Sequence, residues 1–404
     1  MTNKMNSAIQ MENSNKKRKS SCSSATRVLF VDVLNVLACF GVVVLHCTLI
    51  VFTPSASNSW VIALTYQAMF IFAVPIFFMI SGMNLLGYRG RYSTKEFFHR
   101  RVLRVGGGLL FGSFVCYVLF CIFPNSFYGA ERFNGVFGVK DFVKRLLTND
   151  INDVYWFFYA IIYLYLLTPI LSLLGKHRMT TRYLLFVCFI SAIAIPTIER
   201  FIDARYFNSL FNWPLFSDVA VLYYVGGYYI RNYMDSTENK HHQTQAIVVA
   251  IGSLVAMIVF GLCSNGWSII SLNPSTTYDS FFISINSPFC VAFSFSFFYL
   301  FQSLEVNFIK LNVNIKRKIK VLSSLSLGIY LFHILVINWI NLHLTINVLN
   351  NMFLMIPVLK AVIIYVITAA LVVGYKSVYR RIGKLYQSHL KSLNSQTKCN
   401  TSEQ

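Results

Sequence analysis

The sequence predicts an all-α, polytopic integral membrane protein with about ten transmembrane helices and both termini in the cytoplasm. Three observations carry that expectation. Of its 404 residues, 56% are hydrophobic and only 12% charged, and the mean hydropathy is +0.57, too apolar for a soluble chain of this size. The apolar residues gather into about ten runs, each long enough to cross a hydrocarbon core of about 30 Å. Finally, the basic residues behind a net charge of +20 and a pI near 9.6 lie in short segments between those runs. Membrane topology explains that pattern better than nucleic-acid binding does, and no nucleic-acid partner is expected.

Residues 1–26 are polar, rich in Asn and Ser, and carry the basic run Lys16, Lys17, Arg18 and Lys19. Without the apolar core and cleavage site of a removable signal peptide, they read as a disordered basic cytoplasmic tail. The first apolar run, 28–53, is preceded by Arg27 and with it carries a polar stripe of Arg27, Asp32, Asn35, Cys39 and His46. From Asp32 onward the steps are three, four and seven residues, which stack on one face of a 3.6-residue helix. Asn35 and His46 are then about 16 Å apart along the axis, more than half of a bilayer core. Polar and ionisable groups inside a spanning helix face a cavity or a partner helix, which makes this face the first functional candidate. The plainer alternative is that His46 hydrogen-bonds a neighbouring helix.

The second run, 60–82, ends in Ser81 and Gly82, a small pair that lets another helix or a ligand approach the backbone; packing is the better reading. Arg91, Lys95, Arg100, Arg101 and Arg104 lead into the third run, 103–123. The excess of positive charge on cytoplasmic loops accounts for Arg100, whereas Arg101 and Arg104, three apart and entering the span, favour contact with a ligand. In the loop 124–154, Val139, Phe142, Val143, Leu146 and Leu147 alternate with Lys140, Asp141, Lys144 and Arg145, an amphipathic helix expected on the outer surface. Trp156 follows at the mouth of the fourth run, 155–174, as an interface anchor or, more sharply, a sugar-stacking platform.

The fifth to eighth runs are 183–199, 215–231, 246–264 and 281–304. Glu199, Arg200, Asp203 and Arg205 near the outer end of the fifth read as a solvated ion-pair loop rather than an acceptor entrance. His241 and His242 lie in a polar loop and read as solvated surface. The ninth run, 322–342, contains Tyr330 and His333; this second buried histidine either shares a cavity with His46 or hydrogen-bonds across helices. The tenth, 353–375, is followed by a basic polar cytoplasmic tail, 376–404. Lys and Arg crowd into the N-terminal tail, 89–104, 176–182, 310–320 and 376 onward, and an even number of spans places both ends on that cytoplasmic side.

No phosphate-binding P-loop, H-E-x-x-H or GxGxxG is present; Gly106, Gly107 and Gly108 lie in an apparent span rather than after a strand. The nine cysteines form no CxxC pair, so neither a disulfide framework nor a zinc site is expected, and no metal.

Several stretches resemble the membrane acyltransferase type 3 family, in order along the chain. They are the first span with its His46, AVPIFFMISG (73–82), FFHRRVLRV (97–105), VYWFFYAIIYLYLLTPIL (154–171), YYVGGYYI (223–230) and SSLSLGIYLFHILV (323–336). The resemblance implies that 27–375 is a ten-span acyltransferase domain in a bacterial inner or plasma membrane. It further implies transfer of an acyl group, usually acetyl, from cytoplasmic acyl-coenzyme A (acetyl-CoA or another acyl-CoA) to a hydroxyl of an envelope glycan or glycolipid. The family's first-span histidine corresponds to His46, and its R-x-x-R pair to Arg101 and Arg104. The family commonly has Arg or Lys eleven residues before that histidine; this chain has Asn35. A charge-assisted bond is worth about 1.5–3 kcal/mol, so the replacement is expected to cost about 10- to 100-fold unless Arg27, Arg100, Arg101 or Arg104 compensates.

The residues suit that chemistry. A hydroxyl attacks a thioester readily only when a base removes its proton, and an imidazole with an unperturbed pKa near about 6.5 is suited to this at neutral pH. His46 is the candidate base. Asp32 is about 21 Å away along the helix, too far to orient it, and is expected to pair with Arg27 or Arg101 instead. Arg101, Arg104, Arg27 and Asn35 are the candidate donor-binding residues, with Asp32, Ser81, Trp156, Tyr330 and His333 as further cavity residues. With only a short polar segment after residue 376, no appended extracellular domain is expected, and transfer is expected either to finish in the membrane or to need a separate extracytoplasmic partner. The alternative class is a non-enzymatic glycan exporter or accessory subunit on the same scaffold, which Asn35 keeps open.

Overall fold

The computed structural model describes residues 28–202, 216, 218–234, 240–267, 275–343 and 356–400. Arg27, Asp203, Arg205 and the 1–26 tail lie outside them. The structure is 82% helical, and no strand occurs among the described residues. Fourteen α-helices follow one another in the described chain. They are α1 (Leu29–Cys47), α2 (Asn58–Phe70), α3 (Ala73–Leu85), α4 (Thr94–Ile122), α5 (Val139–Leu147), α6 (Trp156–Leu174) and α7 (Arg178–Phe189). Then come α8 (Ile195–Ile202), α9 (Val219–Tyr233), α10 (Lys240–Ser264), α11 (Pro288–Ser303), α12 (Glu305–Ile309), α13 (Val313–His343) and α14 (Ile356–Asn400). Nine helical segments among the described residues are long and apolar enough to cross a membrane.

The sequence sets where these helices begin and break. Ser93 and Glu96 form the S-x-x-E pattern that opens α4, and the Ser93 hydroxyl accepts the Glu96 backbone N–H. Ser57 caps α2 in the same way through the Trp60 N–H. The second apolar run is one 33-residue segment with a break at Ile71 and Phe72 between α2 and α3. Pro75 explains the break, because it has no N–H to return to the Ile71 carbonyl one turn earlier. A π-turn at Ile190–Ala194 joins α7 to α8 within the fifth run.

The sixth run is enclosed by other helices of the bundle. It forms α9, 15 residues or about 22 Å long. Every residue from Val219 to Gly227 is buried, so α9 is apolar on all sides because it is enclosed by other helices. Its closest neighbour is α3. A Cβ on Gly82 would stand 1.7 Å from the Tyr224 carbonyl oxygen, and one on Gly227 would stand 2.1 Å from the Met79 carbonyl oxygen. The ISG and VGG phrases therefore form one seam in which each backbone occupies the space of the other's missing side chain.

The expected amphipathic helix is α5. None of its residues is buried, with Val139 and Leu147 82% and 75% exposed. Arg145 ties it down by pairing with Asp141 at 2.8 Å and Asp150 at 2.7 Å, and Tyr117 of α4 donates to Asp141. Arg200 forms an ion pair with Asp279, a partner from a distant loop that local sequence does not indicate. His241 and His242 are exposed, as expected. After the tenth run the helix continues unbroken, so the basic segment after residue 376 is helical through Asn400.

Candidate active site

The first span is built into the centre of the bundle, against α3, α13, α14 and α2. Its polar stripe meets a matching stripe on α13. The Asn35 amide donates to the Ser323 carbonyl and hydroxyl oxygens at 3.0 and 2.9 Å, and Cys39 Sγ donates to the Ser326 carbonyl at 3.6 Å. Further along, the rings of His46 and His333 stand with centroids 5.2 Å apart and planes at 49°. The sequence offset across these pairs stays at 287 or 288, so α1 and α13 run parallel and in register.

At one end of this paired face lies a cavity of about 670 Å³ lined by α1, α3, α4, α6 and α13, within the size range of small-molecule sites. Asp32, Asn35, Ser81, Arg101, Arg104 and Tyr330 all line it. The structure thus brings together six positions scattered over 299 residues of sequence, Asp32 to Tyr330 inclusive. A comparable cavity of about 720 Å³, between Arg178, Tyr233, His242 and Phe295, contains none of them.

The arginines divide as their spacing suggests. Arg100 is spent on Glu96, one turn earlier, at 2.5 Å and stays exposed. Arg101 and Arg104 turn into the cavity; the Nε of Arg101 is buried and has no hydrogen-bond partner among the described residues. A cationic donor held in a cavity without a partner suits an anionic ligand group. Asp32 is 1% exposed on the opposite wall. Arg91, also on the cavity, donates to the Asn84 carbonyl.

Asn35 lines the cavity but is not simply a weakened basic residue. Its two bonds to Ser323 make it a strut between α1 and α13. Tyr330 likewise presents its ring rather than its hydroxyl. The hydroxyl donates to the Val154 carbonyl at 2.7 Å, while the ring packs 5.2 Å from Phe157 and 5.7 Å from His333.

His46 and His333 stand together outside the cavity lining, beyond Tyr330. His46 sits half-buried at the end of α1. Gln67 of α2 secures that end by donating to the Leu45 carbonyl at 2.8 Å and to the Thr48 hydroxyl at 2.9 Å. His333 is fully buried, and its Nδ1 donates to the Tyr330 carbonyl at 2.8 Å and the Ile329 carbonyl at 3.2 Å.

Trp156 is 42% exposed and outside the cavity, the placement of an interface anchor. The aromatic residue that reaches the site from this helix is its neighbour Phe157. Phe157, Ile161 and Tyr165 line the cavity at four-residue spacing, a helical face that is visible in the sequence once Phe157 is chosen as its start. Arg89 is the other residue missed. It donates to the Ser172 hydroxyl at 2.8 Å and the Pro169 carbonyl at 3.1 Å, holding α6 near the proline.

A family model described as an acyltransferase domain matches residues 28–375, which includes every cavity residue named here and both histidines. No curated protein and no solved structure matches the chain.

Proposed function

The chain belongs to the acyltransferase 3 family and is a multi-pass membrane acyltransferase; from that premise we propose that it O-acylates an envelope glycan or glycolipid, with cytoplasmic acyl-coenzyme A as donor and acetyl as the group moved. The observation that carries the reading is one cavity holding Arg101, whose buried Nε has no hydrogen-bond partner among the described residues, together with Arg104, on the helix face that leads to His46. Arg101 and Arg104 bind the phosphates of the donor's nucleotide end, with Arg91 beside them. The narrow pantetheine arm then runs along α1 past Tyr330, over a distance of about 16 Å from the level of Asn35 to that of His46. Charge withheld at Asn35 is supplied by these arginines, while Asn35 itself holds the wall.

His46 acts as the general base. Its lone-pair nitrogen takes the proton of the acceptor hydroxyl as that oxygen bonds to the thioester carbonyl carbon. The carbon–sulfur bond breaks, and the thiolate sulfur receives the proton from His46, leaving an ester on the acceptor and a free thiol. With both termini cytoplasmic in a bacterial inner or plasma membrane, the arginines face the donor's compartment. His46 then lies in the outer half of its span, so the acyl group crosses the bilayer while the donor does not.

The test measures acetate and succinate released by base from surface glycans. It compares a parent strain, a deletion strain and the deletion strain carrying His46→Ala at equal protein level. Loss of the same acyl group from the deletion and the His46→Ala strains is the expected result. Retention in all three rejects acyl transfer to surface glycans, and a block in polymer export on deletion would turn the assignment to the exporter class.

A further inference from the structure

His333 differs from the other buried polar side chains around the site in how its two nitrogens are used. Its Nδ1 faces two backbone carbonyl oxygens of its own helix. A carbonyl only accepts, so Nδ1 carries the hydrogen and Nε2 carries the lone pair. That Nε2 is buried and has no hydrogen-bond partner among the described residues. The neighbouring ring is His46, 5.2 Å away between centroids, a separation at which two imidazoles can share a nitrogen-bound hydrogen.

We propose that His333 is a positioning residue for His46, its buried Nε2 accepting the His46 ring N–H after a small turn of the half-buried His46 side chain. The inference rests on the reading of His46 as the base. The line of groups is the Tyr330 carbonyl, the His333 Nδ1–H, the His333 Nε2 lone pair, and the His46 N–H. It leaves the other His46 nitrogen unprotonated and free for the acceptor hydroxyl. This does the orienting work that a carboxylate does in a catalytic triad, and Asp32 is too far along the helix to do it. When His46 takes the hydroxyl proton, the shared hydrogen stays between the two rings, so His333 gains no charge. The parallel register of α1 and α13 keeps the two rings level.

The full-length protein in lipid bilayers, labelled with ¹⁵N-histidine, gives a readout independent of the acceptor. His46→Gln identifies the His46 signals by subtraction. The expected spectrum shows a single His46 tautomer in the parent and a mixture in His333→Asn, whose shorter amide keeps the bond to the Tyr330 carbonyl but presents nothing at the Nε2 position. His333→Gln, which places an acceptor oxygen near that position, restores the single tautomer. In the same membranes with acetyl-CoA as donor, His333→Asn lowers kcat by about 100-fold at unchanged donor KM, and His333→Gln recovers most of it. An unchanged His46 tautomer in His333→Asn overturns the inference, as do equal losses of kcat in the Asn and Gln variants. Full turnover in His46→Ala would instead overturn the assignment of the base, whatever the His333 variants do.

Discussion

Arg101→Met separates donor binding from folding more sharply than any other change at this site. In most buried networks the removal of a charged donor costs stability as well as function. Here the Arg101 Nε is buried without a partner among the described residues, and leaving such a donor unmet costs about 1–3 kcal/mol. Methionine keeps a stem of similar length and puts a methyl group where the Nε stood, which removes that donor, so the melting temperature is expected to stay level or rise. Donor binding moves the other way. Loss of one charge-assisted bond to a phosphate is worth about 1.5–3 kcal/mol, which raises the KM for acetyl-CoA by about 10- to 100-fold. Thermal unfolding in nanodiscs and acetyl-CoA titration of thiol release measure the two quantities on one preparation. A fall in melting temperature at unchanged KM would refute the reasoning, since it would make Arg101 a structural residue.

The remaining predictions use the same preparation. Arg100→Ala, which removes an exposed pair with Glu96 and a contact over the Tyr92 ring, is expected to leave the acetyl-CoA KM unchanged and stability within about 1 kcal/mol, as kinetics and unfolding would report. Asn35→Ala breaks both bonds to Ser323 and is expected to cost about 1–3 kcal/mol of stability in denaturant titration. Gly82→Ala would set a methyl group 1.7 Å from the Tyr224 carbonyl oxygen, and is expected to cost about 1–3 kcal/mol or more, seen as a lowered melting temperature or lost monodisperse yield.

Much of this architecture is legible in the sequence because its strongest signals are local. Apolar runs locate the spans, and the helical spacing of Asp32, Asn35 and Cys39 identifies the face of α1 that meets the cavity and α13. The Arg101–Arg104 pair also separates from Arg100 by position alone. What the sequence hides is the identity of the neighbours. An all-round apolar segment looks the same whether it faces lipid or other helices, so the sequence does not tell that α9 is enclosed by its neighbours. The pairing of α1 with α13 crosses nearly the whole chain. Its trace is a second stripe, Ser323, Ser326, Tyr330 and His333, stepping by three, four and three, and the stripe has meaning only opposite the first. Trp156 and Phe157 differ by one position, about 100° around a helix, enough to exchange the surface for the cavity. Arg200 and Asp279 show the same limit for charges, since pairing between distant loops leaves no local pattern.

The glycine seam has a mechanical consequence. A backbone carbonyl of each helix is seated in the gap left by the other's missing side chain, so α3 and α9 cannot slide along one another without driving a carbonyl into a Cα. The wall that carries Ser81 is therefore the fixed jaw of the cavity. The opposing arginine-bearing wall is α4, and just beyond Arg104 its Gly106, Gly107 and Gly108 meet nothing within 4 Å of where their side chains would be. Any widening of the cavity is therefore expected of α4, the helix that carries Arg101 and Arg104.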